Sequence, residues 1–89
     1  MDYKKVEKSV KVFTKNKYWK RVYEEAPSDN CRKRIALSFY YSHTLDESEE
    51  YEAEEQRVED SLSKEDWRYL YEHEGNNPWK AYCKKKMME

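Results

Sequence analysis

Cys31, His43, His73 and Cys83 make up the donor inventory of a zinc site, two thiols and two imidazoles. Fingers and knuckles hold such ligands in close pairs, and no close pair exists here. Only a site assembled from remote positions would serve, so no metal is expected. Buried thiols and surface imidazoles are the default. The two cysteines have no CxxC spacing and are read as reduced; a Cys31–Cys83 bridge would be natural only if the segments carrying them pack face to face.

The same residues raise nucleophilic catalysis, Cys31 or Cys83 beside a histidine, and the acidic residues of 46–60 raise acid–base chemistry between carboxylates. A nucleophile needs an oriented base and a set of oxyanion donors. With one glycine in 89 residues the chain has no phosphate loop and no nucleophile elbow. Carboxylates on an exposed helix stay solvated, so nothing drives their pKa values apart. The expectation is a non-enzyme with no catalytic residue and no cofactor.

What remains is charge. Residues 46–60 hold nine acidic side chains and one arginine, a net −8. Residues 1–45 carry 11 positive and 5 negative groups, +6, and residues 61–89 carry 6 and 5, +1. The total of −1 hides a segregated field, which governs association rather than fold. A charge run is commonly a solvated face. Its functional reading is imitation of a phosphate backbone: eight net charges over fifteen helical residues fall about 2.8 Å apart, between the density of one DNA strand and that of a duplex. On that reading Asp46, Glu47, Glu49, Glu50, Glu52, Glu54 and Glu55 meet a Lys/Arg groove.

The positive groups cluster at Lys4, Lys5, Lys8 and Lys11, at Lys15–Arg21, at Arg32–Arg34 and at Lys84–Lys86. Tyr and Trp interleaved with them suit a stacking, single-strand surface. The pI of about 6.2, however, lies far below that of a dedicated nucleic-acid binder.

These groups must be positioned by a small core. Five Val, four Leu, one Ile and two Phe make 12 of 89 residues, about 13%, below the roughly 20% that usually marks order. Nine Tyr and three Trp supply the missing apolar area, so the chain is read as one folded domain, 1–89. No apolar run spans a membrane or forms a signal-peptide core. A cytosolic chain, intact from its initiator Met, is expected.

Tyr3, Val6, Val10 and Phe13 mark one helical stripe, whereas Trp19, Val22 and Tyr23 lie about 120° round from Phe13. A break or bend is therefore placed near Thr14–Lys17. Pro27 ends that segment, and Ser28 or Asp29 caps the next. Ile35–Tyr41 is apolar nearly all round, a buried helix or strand, with helix favoured because no turn chemistry offers a pairing partner. Tyr51, Val58 and Leu62 give the acidic segment one narrow docking face. Ser63 caps the following helix, with Leu62 and Trp67 as a hydrophobic staple. Gly75 is expected in a left-handed C′ position, with Asn77 as cap and Pro78 at N1 of the last helix.

Trp19–Glu24 resembles Trp67–Glu72, and Cys31–Ile35 resembles Cys83–Met87, each pair separated by a Pro-containing turn. The expected fold is all-α: a compact bundle of four to five short helices, arranged as two similar hairpins joined by an acidic helix if the repeat is real. Tyr40, Tyr41 and Tyr69 fall off the buried stripes, as does Tyr18, and are the expected aromatic contacts. The reading is a small non-enzymatic interaction module: an inhibitor that offers a nucleic-acid mimic to a basic-grooved, nucleic-acid-binding partner, as a phage or mobile-element anti-defence protein would. A nucleic-acid-binding module using the basic helices and a structural homo-oligomer are the alternatives.

Overall fold

The computed structural model describes residues 3–75 and 77–89, with the side chain of Tyr3 outside the described set. Six helices account for most of them: α1 (Tyr3–Phe13), α2 (Lys17–Glu24), α3 (Asp29–Thr44), α4 (Glu49–Asp60), α5 (Lys64–His73) and α6 (Asn77–Met88). The count exceeds the expected four to five, and the break or bend expected near Thr14–Lys17 is a full interruption. Asn16 turns extended there, and its Oδ1 accepts from the Tyr18 N–H at 3.0 Å to start α2. None of the described helices is long and apolar enough to cross a membrane.

Serines start three of the remaining helices. The hydroxyls of Ser28, Ser48 and Ser63 accept from the N–H groups of Cys31, Tyr51 and Asp66, satisfying donors that a helix N-terminus leaves unpaired. At α5 the bond is reciprocal: Asp66 Oδ2 accepts from Ser63 N–H at 2.9 Å, closing a capping box. Helix α3 ends on Leu45, which is exposed and left-handed at φ 51°. Gly75, expected in that role, has no positive φ, because α5 leaves through an extended Glu74 (φ −91°, ψ 129°). Asn77 lies inside α6 rather than before it, which puts Pro78 within the first turn.

Helix α3 is the centre. Its Cys31 and Ile35 join Phe13, Val22, Trp67, Leu70 and Cys83 in one buried cluster, while its Ala36, Leu37 and Tyr40 join Val6, Tyr51 and Val58 in a second. That settles the Ile35–Tyr41 stretch as a helix covered on most sides. Leu37 and Val58 are 2% and 1% exposed, and each such side chain contributes about 1.5–3 kcal/mol through burial. Aromatic rings fill what the aliphatics do not: Phe13 stacks on Phe39 at 3.7 Å between centroids, and Trp79 stacks on Tyr82 at 5.3 Å.

Helix α5 packs along α6, whereas α3 packs chiefly on α1 and α4. The segments of similar sequence therefore do not form two equivalent hairpins. Both cysteines nevertheless lie in the same cluster, fully buried and reduced.

Candidate interaction surface

The acidic run folds as a short loop followed by α4, and α4 divides its carboxylates into two groups. Tyr51 and Val58 turn toward α3 and fix the inner face. Glu55 and Glu59 stand one and two turns beyond Tyr51, so they share that face. Glu59 is buried, and its Oε1 accepts from Arg34 Nε at 3.1 Å. Glu55 is half-buried, 3.9 Å from Arg34. Glu54 is held by Arg57 one turn later on the same helix.

The outward group is Glu47, Glu49, Glu50 and Glu52, all exposed. Among the described residues no basic side chain lies within ion-pair distance of these four. Glu49, Glu50 and Glu52 occupy the first turn of α4, where the helix dipole favours negative charge. Asp60 is also exposed and accepts from Gln56 at 2.8 Å. Asp46, at the rim, accepts from the Tyr40 hydroxyl and, at 2.9 Å, from the Ser48 N–H. The Tyr40 hydrogen bond, followed by the Ser48 bond, holds its carboxyl below the usual carboxylate range.

The net −8 of residues 46–60 therefore splits. Asp46, Glu47, Glu49, Glu50, Glu52 and Asp60 give −6 on the solvent side, Glu54 and Arg57 cancel, and Glu55 with Glu59 put −2 against Arg34. On α4 itself Glu49, Glu50, Glu52 and Asp60 are four outward charges over twelve residues, about 4.5 Å per charge on average and sparser than a single DNA strand, with three of the four crowded into the first turn.

The tyrosines sort differently from expectation. Tyr40 is 3% exposed: its ring packs beside Tyr51 and its hydroxyl is spent on Asp46, so it braces the α3–α4 loop instead of facing a partner. Tyr69 is half-buried and donates to the Val22 carbonyl at 2.6 Å, tying α5 to α2. Burial, the largest cause, pushes its hydroxyl pKa up. Tyr41 alone of the three is exposed, stacked on Tyr51 at 5.6 Å beside α4. Tyr18 is exposed as well.

One arrangement escaped the sequence reading. Arg34 belongs by sequence to the positive cluster Arg32–Arg34, yet it is 5% exposed. Besides Glu59 it donates to Ser38 Oγ at 2.7 Å, and its guanidinium lies 4.4 Å over the Trp79 ring. The Tyr82 hydroxyl completes the set by donating to Glu59 Oε2 at 3.1 Å. A signal existed: Glu59 recurs at the helical spacing of the Tyr51 stripe, and Arg34 sits one turn from Cys31. Most other lysines and arginines of the clusters are exposed; Arg32 pairs with Asp29 at 2.6 Å and Lys86 with Glu89 at 3.5 Å. Among the described residues no three His, Cys, Asp or Glu side chains gather as a metal site.

Comparison with protein-family models, curated proteins and solved structures gives no match.

Proposed function

We propose that the chain is a small, non-catalytic interaction module that docks on a basic partner through the outward carboxylates of α4 and the loop before it. The partner it suits best is a nucleic-acid-handling protein, whose Lys/Arg groove would receive these carboxylates in place of phosphates. An anti-defence inhibitor from a phage or mobile element would work in this way.

The observation that carries the reading is Glu47 in the loop with Glu49, Glu50 and Glu52 in the first turn of α4, all exposed and, among the described residues, with no basic side chain within ion-pair distance, on a helix whose other side is anchored. The last three span only about 5 Å of helix axis, well inside the Debye length of about 8 Å at physiological salt. They act on a partner as one patch. Exposed Tyr41 at the edge of α4 adds an aromatic contact of the kind that anchors interfaces.

The test is a competition. The tagged protein is used to recover partners from bacterial lysate with and without nuclease, and a recovered DNA- or RNA-binding protein is then titrated with labelled nucleic acid. The expected result is mutual exclusion that weakens steeply with salt. Replacing Glu47, Glu49, Glu50 and Glu52 together by Gln is expected to reduce affinity at least about tenfold while leaving the helical spectrum unchanged. Intact affinity in that variant, or simultaneous binding of nucleic acid, overturns the proposal. Glu54 and Glu55 are left out because they hold Arg57 and Arg34.

A further inference from the structure

One cavity of the molecule lies away from the acidic side. It is an open groove of about 460 Å³ between α1, α2 and α3, and none of its lining comes from α4. Its floor is apolar but largely closed: Val6 of α1 and Ala36 and Leu37 of α3 are only 2–5% exposed, and half-buried Val10 of α1 and Tyr23 of α2 offer the open apolar surface. Its rim is charged, with Lys11 and Glu7 on α1 and Asp29, Arg32 and Lys33 on α3.

The rim charges are not equivalent. Asp29 and Arg32 neutralise one another at 2.6 Å. Lys11 and Lys33 are exposed, and among the described residues neither has a carboxylate within ion-pair distance. Glu7 stands one helical turn from Lys11 and offsets part of that charge. The balance at the rim is +1, and exposed Lys4, Lys5 and Lys8 continue the positive field along α1. A pocket of this size with an apolar floor and a few polar groups at its edge is the usual form of a small-molecule site.

We infer that the groove between α1 and α3 binds an amphipathic organic anion, an apolar body with one carboxylate or phosphate. The body would lie against Val10 and Tyr23, the apolar lining side chains that keep open surface, and the anionic group would sit between Lys11 and Lys33. Apolar burial supplies the affinity and the two ammonium groups supply the sign preference. This site is independent of the acidic face of α4 and stands or falls separately from it.

Decanoate is the probe, below its micellar concentration, with decyltrimethylammonium as the opposite-charge control, followed by amide chemical shifts in the full chain. The expected result is a saturable shift confined to α1, α3 and Tyr23, with a Kd of about a millimolar and little response to the cation. Val10→Trp, which fills the groove, is expected to abolish the saturable shift. The Lys11→Glu/Lys33→Glu double variant, altered only at exposed positions, is expected to weaken decanoate about tenfold and to improve binding of the cationic control. Three results overturn the inference: no saturable shift with decanoate, equal binding of both amphiphiles, or unchanged decanoate affinity in the double-lysine variant. Should Val10→Trp perturb the fold, the lysine variant decides alone.

Discussion

Cys31 and Cys83 have no exposed surface, and their burial has a consequence in alkali. Desolvation is the largest cause acting on both thiols and pushes each up to about 12, with Asp66 adding to the rise at Cys31 and Arg34 opposing it at Cys83. In the unfolded chain a thiol titrates near 8.5. Between these values the unfolded chain has released protons that the native state still holds, so native stability falls as pH rises. Below about 8.5 the contribution is fully present; above it the loss approaches about 1.4 kcal/mol per pH unit for each thiol. Urea unfolding at pH 8 and pH 10.5 should therefore show a midpoint that drops sharply. The Cys31→Ala/Cys83→Ala variant starts lower because of the small cavities it leaves, but its midpoint should fall less over the same interval. A drop as steep as that of the parent would mean that the thiols are not the groups responsible. Tyr82, also raised to about 12 and chiefly by burial, adds only above pH 10.

At the scale of elements, Asp66 joins two helix starts. Its Oδ2 accepts from the Ser63 N–H within its own capping box, and its Oδ1 accepts from the Ser28 hydroxyl at 2.9 Å, the residue that caps α3. The side chain is 3% exposed. Asp66→Ala leaves both donors without this acceptor and should cost about 1–3 kcal/mol. For a domain of this size that lowers the melting temperature by roughly 4–8 °C per kcal/mol, measurable by circular dichroism. Ser28→Ala combined with Asp66→Ala should cost less than the sum, because the two share a bond. The helix starts were legible in the sequence because Ser28 and Ser63 carry their capping chemistry locally, as was the interruption after Phe13, where the apolar stripe changes face. The link from Ser28 to Asp66 was not legible, since it joins residues 38 positions apart. The roles of Tyr40 and Tyr69 were hidden differently: an off-stripe position marks a ring as spare, but both hydroxyls found partners in other segments. The charge run was legible as a total and misleading as a surface, because a sum carries no direction and α4 turned Glu55 and Glu59 inward.

At the scale of the whole molecule, Arg34 is the point where three helices meet. It stands on α3, is paired with Glu59 of α4, and is covered by Trp79 of α6, whose neighbour Tyr82 binds the same carboxylate. Tyr51 and Val58 are the only other buried residues of α4, so this ion pair is a large part of what holds the acidic helix against the core. A buried pair of this kind contributes little relative to a well-packed apolar replacement, whereas removal of one partner strands the other charge at a cost of about 3–5 kcal/mol. A domain of this length has roughly 4–13 kcal/mol in total, so either single loss is severe. Arg34→Met and Glu59→Leu should each lower the urea midpoint strongly, while the double variant recovers most of the loss, with a coupling of at least about 2 kcal/mol. Arg34→Lys should behave closer to Met than to Arg, because an ammonium cannot meet Glu59, Ser38 and the Trp79 face from one planar fork. Additive single losses would mean that the pair is solvated and that α4 is held by Tyr51 and Val58 alone. The result also bears on the proposed docking: if the chain binds a basic partner through its outward carboxylates, a stable double variant that retains them should bind equally well, since Arg34 and Glu59 position the acidic face without belonging to it.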